Sequence, residues 1–289
     1  MSVRIARATA AAGALAGALL LASPPSAAET FMTCTGVISS LPAVIDTQGI
    51  WCLTHDLGTA ITTGEAITID TNNVTIDCNG FKIGGLAAGV GTQAHGIEAL
   101  DRANATIRNC NIRGFYRGVF LKGGTGHLVE DNRFDANTLS AVLVDGDGIV
   151  VQRNRIFDTG PSTVSAMAIA VYAIGGVDVV DNTISGVVAA TGGNGDARGV
   201  FLFSNQDGRI ADNRIRGLVS DGTGDMYGVL TTLARYITVR GNDLVGDGSA
   251  TSVGISCAGS NAVTRDNAIS FFGTGNYACN DHGGNVVKP

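Results

Sequence analysis

Gly118-Val-Phe-Leu-Lys122 and, after a short connection, His127-Leu-Val-Glu-Asp-Asn132-Arg-Phe134 form one unit of this chain. Ala141-Val-Leu-Val-Asp145 and Ile149-Val-Val-Gln-Arg-Asn154-Arg-Ile156 repeat it 22 to 23 residues later. Outward from this pair, strand starts recur at Ala66, Gly96, Gly118, Ala141, Ala168, Gly199, Gly228 and Gly254. Each is followed 13 or 14 residues on by a corner residue: Asn79, Cys110, Asn132, Asn154, Asn182, Asn213, Asn242 and Asn267. A repeat of 22 to 31 residues, constant in one arm and variable in the other, describes a coil whose turns bury one another, not a globular core.

With the corner residue as zero, apolar residues recur at −5 and −3, as in Ile149/Val151, Val177/Val179 and Ile237/Val239. Position +2 is apolar in every turn: Phe81, Ile112, Phe134, Ile156, Ile184, Ile215, Leu244 and Ile269. Polar residues often stand between them, which is the period-two signal of a half-buried strand. Asparagine suits the corner because it tolerates left-handed backbone and bonds nearby main chain. Stacked about 4.8 Å apart, such side chains also satisfy one another.

Gly49-Ile-Trp-Cys-Leu53, leading through Ala66-Ile-Thr-Ile69 to Val74-Thr-Ile-Asp-Cys-Asn-Gly80, resembles the opening of secreted proteins of the pectin-lyase-like superfamily. The likeness extends over about residues 45–280. It implies an all-β fold, a single-stranded right-handed parallel β-helix of about eight coils with an asparagine ladder at one corner. The domain plan is then a signal peptide over 1–28, an N-terminal cap over 29–65, the β-helix over 66–272 and a C-terminal cap over 273–289. Function does not follow from the fold, which hosts lyases, hydrolases, epimerases, adhesins and phage spikes. The chain has neither an adjacent aspartate pair with Gly-His-Gly and Arg-x-Lys nor an Asp-Pro-His-Asp, so no enzyme family's residues transfer.

Arg4 and Arg7, the apolar run from Ala8 to Ala22 and Ser26-Ala27-Ala28 read as a secretory leader cut near Ala28. Its removal leaves 17 basic and 25 acidic groups, a net charge of −8 against −6 for the full chain. Such an acidic product has no electrostatic case for nucleic acid, and no later run is long enough to span a membrane. The six cysteines suit an oxidising compartment, secreted or periplasmic. The repeat register suggests Cys34 with Cys52, Cys78 with Cys110, and Cys257 with Cys279, although six cysteines admit many pairings or free buried thiols.

Connections from the +2 residue to the next strand start vary from 6 to 15 residues, which marks one loop face. Short connections at 112–118 and 134–141, between longer ones at 84–95 and 157–167, predict a cleft over the strands at Gly118 and Ala141. Alternation turns Phe120 and Lys122 outward, with Glu98, Leu143, Asp145, Ala170, Tyr172, Phe201 and Phe203. Lys122, Asp145 and Tyr172 then form a column on three successive coils, with Arg117 and His95 at the strand entrance. In an enzymatic reading, Lys122 or Tyr172, beside Asp145, abstracts the C5 proton of a uronate while Arg117 neutralises the sugar carboxylate. Glu98, His95, Phe120, Phe201 and Phe203 then contact the bound chain. In a structural reading, Lys122 and Asp145 make a cross-strand ion pair and Tyr172 packs beside it.

The outer stripe of Phe120, Tyr172, Phe201, Phe203 and Leu230 stacks sugar rings or meets a partner, or lies beneath loops 185–198 and 216–227. Those loops carry Asp196, Asp221 and Asp225, which suit a calcium ion or are solvated turn residues. His95, His127 and His282 show no metal-ligand spacing. Two functions compete. One is an exported monomer that binds and processes an acidic polysaccharide, lyase-like, with elimination favoured over hydrolysis. The other is a non-catalytic glycan-binding, surface or envelope-associated protein.

Overall fold

The structure, a computed structural model, describes residues 33–162, 164–173, 175–204 and 206–288 of the 289-residue chain. The leader expected over 1–28 and the first residues of the expected cap lie outside these residues. Among the described residues, strands form three parallel sheets of 10, 11 and 10 members. One coil places Arg117–Thr125 in the first sheet, Leu128–Glu130 in the second and Arg133–Asp135 in the third. The next repeats it with Ser140–Asp147, Ile149–Gln152 and Arg155–Ser162. The sheet holding Arg117–Thr125 is called the floor sheet below. No helix among the described residues is long and apolar enough to cross a membrane.

The eight strand starts share one register, and the core follows from it. Ile67, Ile97, Val119, Val142, Ile169, Val200, Val229 and Ile255 pair in sequence along the floor sheet and are all fully buried. Ile83, Ile112, Phe134, Ile156, Ile184, Ile215, Leu244 and Ile269 make a second buried line on the third sheet. Each pleat offers its neighbour the same slot, so branched apolar side chains stack coil upon coil. Full burial of such a side chain stabilises by about 1.5–3 kcal/mol.

Two expectations need correction. Ile112 pairs with Ile83, not with Phe81, although upstream Arg108 still pairs with Asp77. The first coil's corner therefore holds two more residues than the next. Asn79 and Gly80, at φ 50° and 81°, turn this extra chain, and Phe81 is only partly buried against the core. In later coils the left-handed residue is the one before the asparagine: Asp131, Arg153, Asp181, Asp212, Gly241 and Asp266. Placing the turn one residue early keeps the asparagine side chain inward, at most 2% exposed from Asn132 to Asn267.

The ladder runs from Asn132 through Asn154, Asn182, Asn213, Asn242 and Asn267 to Asn285, a residue the repeat did not reach. Asn182 shows the pattern: its backbone N–H and Nδ2 both donate to Asn213 Oδ1 at 3.0 Å, and Nδ2 also reaches Val151 O at 2.9 Å. Below the ladder, Cys110 N–H donates to Asn132 Oδ1 at 3.0 Å, while the Cys110 side chain is bonded to Cys78. Cys34–Cys52 and Cys257–Cys279 complete the expected disulfides.

Candidate functional site

Register sorts the outer face of the floor sheet into rows. The residues just before the strand starts form the first row: Glu65, His95, Arg117, Ser140, Met167, Arg198 and Tyr227. Three residues further along lie Glu98, Phe120, Leu143, Ala170, Phe201 and Leu230. Two further still come Lys122, Asp145, Tyr172 and Phe203, so the expected column is in register. It does not converge with Arg117. Arg117 and Lys122 are five residues apart on one extended strand, roughly 16 Å. Nor are Lys122 and Asp145 joined as an ion pair. Tyr172 packs instead against Phe201 and Phe203, with ring centroids at 5.7 and 5.8 Å.

Between these rows lies an apolar cluster outside the coil: Leu139, Leu143, Met167, Ala170, Phe201 and Leu230. Tyr116, Phe120, Tyr172, Phe203 and Tyr227 pack against it, each still partly exposed. The strip thus seals its own centre and leaves a rim of aromatic edges on the surface.

At one end of the strip stands a network that the sequence did not assemble. Arg117 Nη1 lies 3.0 Å from His95 Nε2, and His95 Nδ1 lies 2.5 Å from Glu98 Oε2. Glu65 on the preceding coil brings a second carboxylate to within 4.8 Å of the His95 and Glu98 polar atoms. A guanidinium has only donors, so Nε2 must accept, and the imidazole proton sits on Nδ1 and donates to Glu98. Burial, and then the Arg117 charge, hold His95 down at about 4. Burial raises Glu98, against the pull of Arg117, Glu65 and Lys122. The guanidinium lies over both Phe120 and Tyr116, 4.6 and 4.9 Å from their centroids, and its Nε is buried without a partner. Phe120 also meets the His95 ring edge-on at 4.9 Å.

Ligand atoms of Glu65, His95 and Glu98 lie within 4.8 Å of one another, the one such set among the described residues. Arg117 decides what it can hold. By making Nε2 the acceptor it protonates Nδ1, the nitrogen facing the carboxylates, whereas a metal ion needs that nitrogen bare. The cluster as built holds protons.

Three coils away, Arg198 lies 4.8 Å from the Phe201 centroid and is ion-paired with Asp196. Asp196 Oδ1 also accepts the Asp225 N–H, and Asp225 Oδ2 accepts the Tyr227 hydroxyl, both at 2.9 Å. Asp221 accepts the Asn194 N–H at 3.0 Å. Asp196, Asp221 and Asp225, expected to suit calcium, thus each serve a protein donor and do not form a set of three. Burial, followed by its bond to Asp225, pushes Tyr227 up to about 12. His127 is a core residue, its Nε2 2.9 Å from Gly123 O.

A groove of about 820 Å³ runs along the ladder corner, past Asn111, Arg133, Arg153 and Arg155. Its ladder asparagines are spent on one another, so size alone does not make it the site.

Residues 54–195 match a family model described as a right handed beta helix region. Similar solved structures include the Dettilon tailspike protein gp208, with TM-score 0.49 and 15% identity over 87% of this chain and 60% of that one. The A-module of the Azotobacter vinelandii mannuronan C-5 epimerase AlgE6 aligns with TM-score 0.44 and 16% identity over 85% and 83%. The DFA-IIIase of Arthrobacter chlorophenolicus A6, without its lid, aligns with TM-score 0.46 and 13% identity over 82% and 70%. The chain spans 60% of the tailspike's length, and at these identities the likeness is one of fold. No curated protein matches the sequence.

Proposed function

We propose that this chain, a right-handed parallel β-helix protein, binds an acidic polysaccharide along the outer face of its floor sheet. One observation carries the reading. Arg117 and Arg198 stand in one row three coils apart, roughly 14 Å, each over a phenylalanine ring, with the apolar strip between them. Guanidinium groups match sugar carboxylates in shape and charge, and aromatic edges suit the apolar faces of the rings. Three disulfides suit an oxidising compartment, and we read 1–28 as an export leader.

If the bound chain is processed, elimination fits better than hydrolysis. Hydrolysis needs two carboxyls facing each other across the bond, about 5–9.5 Å apart. Glu98 and Asp145 are two residues and two coils apart, roughly 12 Å on strand geometry, and Glu98 is turned toward His95. Elimination needs a carboxylate neutraliser next to a base, and Arg117 stands next to His95. A second reading, glycan binding without catalysis, is favoured by the same contact, because Arg117 occupies the only lone pair of His95.

Incubation with pectate, alginate and glycosaminoglycans, followed by absorbance of unsaturated products and by affinity electrophoresis, tests both. Retarded migration on acidic glycans alone is expected. Binding without new absorbance leaves the non-catalytic reading, and no retardation on any polyanion sinks the proposal.

A further inference from the structure

We infer that the Arg117–His95 contact is a latch, opened by the carboxylate of an acidic sugar, and that opening it presents His95 Nε2 as a base backed by Glu98. The inference rests on the acidic-glycan reading above and adds to it how the resting site is kept inert.

The resting contact is a weak partnership for an arginine. Among the described residues no carboxylate is ion-paired with Arg117; its Nη1 meets a neutral imidazole, and its buried Nε meets nothing. A carboxylate offers two oxygens to a guanidinium fork, with bonds about twice as strong as neutral ones. The guanidinium lies over two rings, so it can turn toward such a ligand and keep Phe120 and Tyr116 beneath it.

Opening changes His95 in a defined way. The groups that face it are Glu65 from the preceding strand, Glu98 from its own, and Arg117 and Tyr116 from the following coil, with Lys122 further off along that strand. Arg117 is the nearest cation of this set. Once a carboxylate neutralises it, the Nε2 lone pair is bare and the penalty on imidazolium shrinks. Nδ1 keeps donating to Glu98, which fixes the ring and stabilises positive charge upon it. Substrate charge therefore creates the base at the place where that charge is bound. An uncharged glycan would leave the latch shut.

Imidazole NMR tests this on ¹⁵N-histidine-labelled protein, with the His95 signals identified by their loss in His95→Gln. Titrations are run on free protein, with trigalacturonate and with uncharged cellotriose, and calorimetry records binding in parallel. The free protein is expected to show Nδ1-protonated His95 with a midpoint well below that of an ordinary histidine. Saturating trigalacturonate should raise the midpoint by at least one pH unit, and cellotriose should not. Arg117→Gln should raise it without ligand and abolish the further rise. Trigalacturonate that binds by calorimetry yet leaves the His95 midpoint in place overturns the latch alone. Absence of binding heat with trigalacturonate, alginate oligomers and heparin oligomers overturns the acidic-glycan reading, and the latch with it.

Discussion

Arg117 and Arg198 occupy equivalent positions three coils apart, and their partners differ. Each enters the same row of the floor sheet and covers a phenylalanine three residues on. Arg198 has its own carboxylate in Asp196, so its charge is already answered within the protein. Arg117 rests on a neutral imidazole, so among the described residues no group of opposite sign is ion-paired with it. The repeat supplies the same cation twice; the neighbour decides whether it is a structural tie or a vacancy for an anion. An incoming polyanion should therefore be drawn to the Arg117 end, with the Arg198 end supplying mainly its rings.

Alanine scanning is the strongest way to break this comparison. Arg117→Ala is expected to weaken trigalacturonate binding about thirtyfold, close to 2 kcal/mol for a lost charge-assisted bond. Arg198→Ala should stay within about threefold. Equal losses at the two arginines, measured by calorimetry, would mean that the Asp196 pairing does not matter.

Asp196→Asn sharpens the same point in the other direction. The amide keeps an oxygen for the Asp225 N–H but no longer neutralises Arg198. Affinity for the same trisaccharide should rise severalfold, about 1 kcal/mol, and the gain should vanish in Asp196→Asn/Arg198→Ala. A variant that binds no better than wild type would show that Arg198 cannot reach the ligand.

The two ends also titrate on opposite sides of neutrality. His95 is held at about 4, below its ordinary 6.5, so the unfolded chain binds more protons between these values. Its contribution to stability is complete above about pH 6.5 and is lost as pH falls toward 4. Glu98, raised by burial, acts with the opposite sign: its contribution is present below its ordinary 4.5 and fades as pH rises past it. Tyr227, raised from 10.0 to about 12, contributes below pH 10 and loses that contribution as pH climbs to 12. Urea unfolding across pH should therefore show an acid-side slope reduced by His95→Gln and an alkaline-side slope reduced by Tyr227→Phe. Unaltered slopes in both variants would remove the electrostatic part of the comparison.

Much of the scaffold was legible because it is repetitive. The inward line from Ile67 to Ile255 follows from counting, and the same register suggested the three disulfides, since a residue's position in one coil fixes its neighbour in the next. Counting failed where a coil departs from the repeat. Phe81 is a plausible apolar +2 residue, and only the pairing of Ile83 with Ile112 reveals the longer corner. The site was half legible for a related reason. Lys122, Asp145 and Tyr172 fell into register as expected, yet a register line says nothing about how far apart the two ends of a strand are. The row Glu65, His95, Arg117 could have been found by reading the residue before each strand start. That Arg117 bonds His95, with Glu65 close by, depends on side-chain reach and burial, which have no periodicity.

The ladder has a polarity that its regularity conceals. Each Nδ2 from Asn132 to Asn267 donates to the Oδ1 of the next asparagine toward the C-terminus. The amide dipoles consequently add head to tail along the coil axis, and each bond polarises the next. The positive end emerges at Asn285, whose Nδ2 donates to Asp281 Oδ1 at 2.7 Å. A carboxylate thus closes this line of amides as an acidic residue closes the N-terminus of an α-helix. It gives a stack of side chains a macrodipole, and with it a chemical difference between the two ends of the coil.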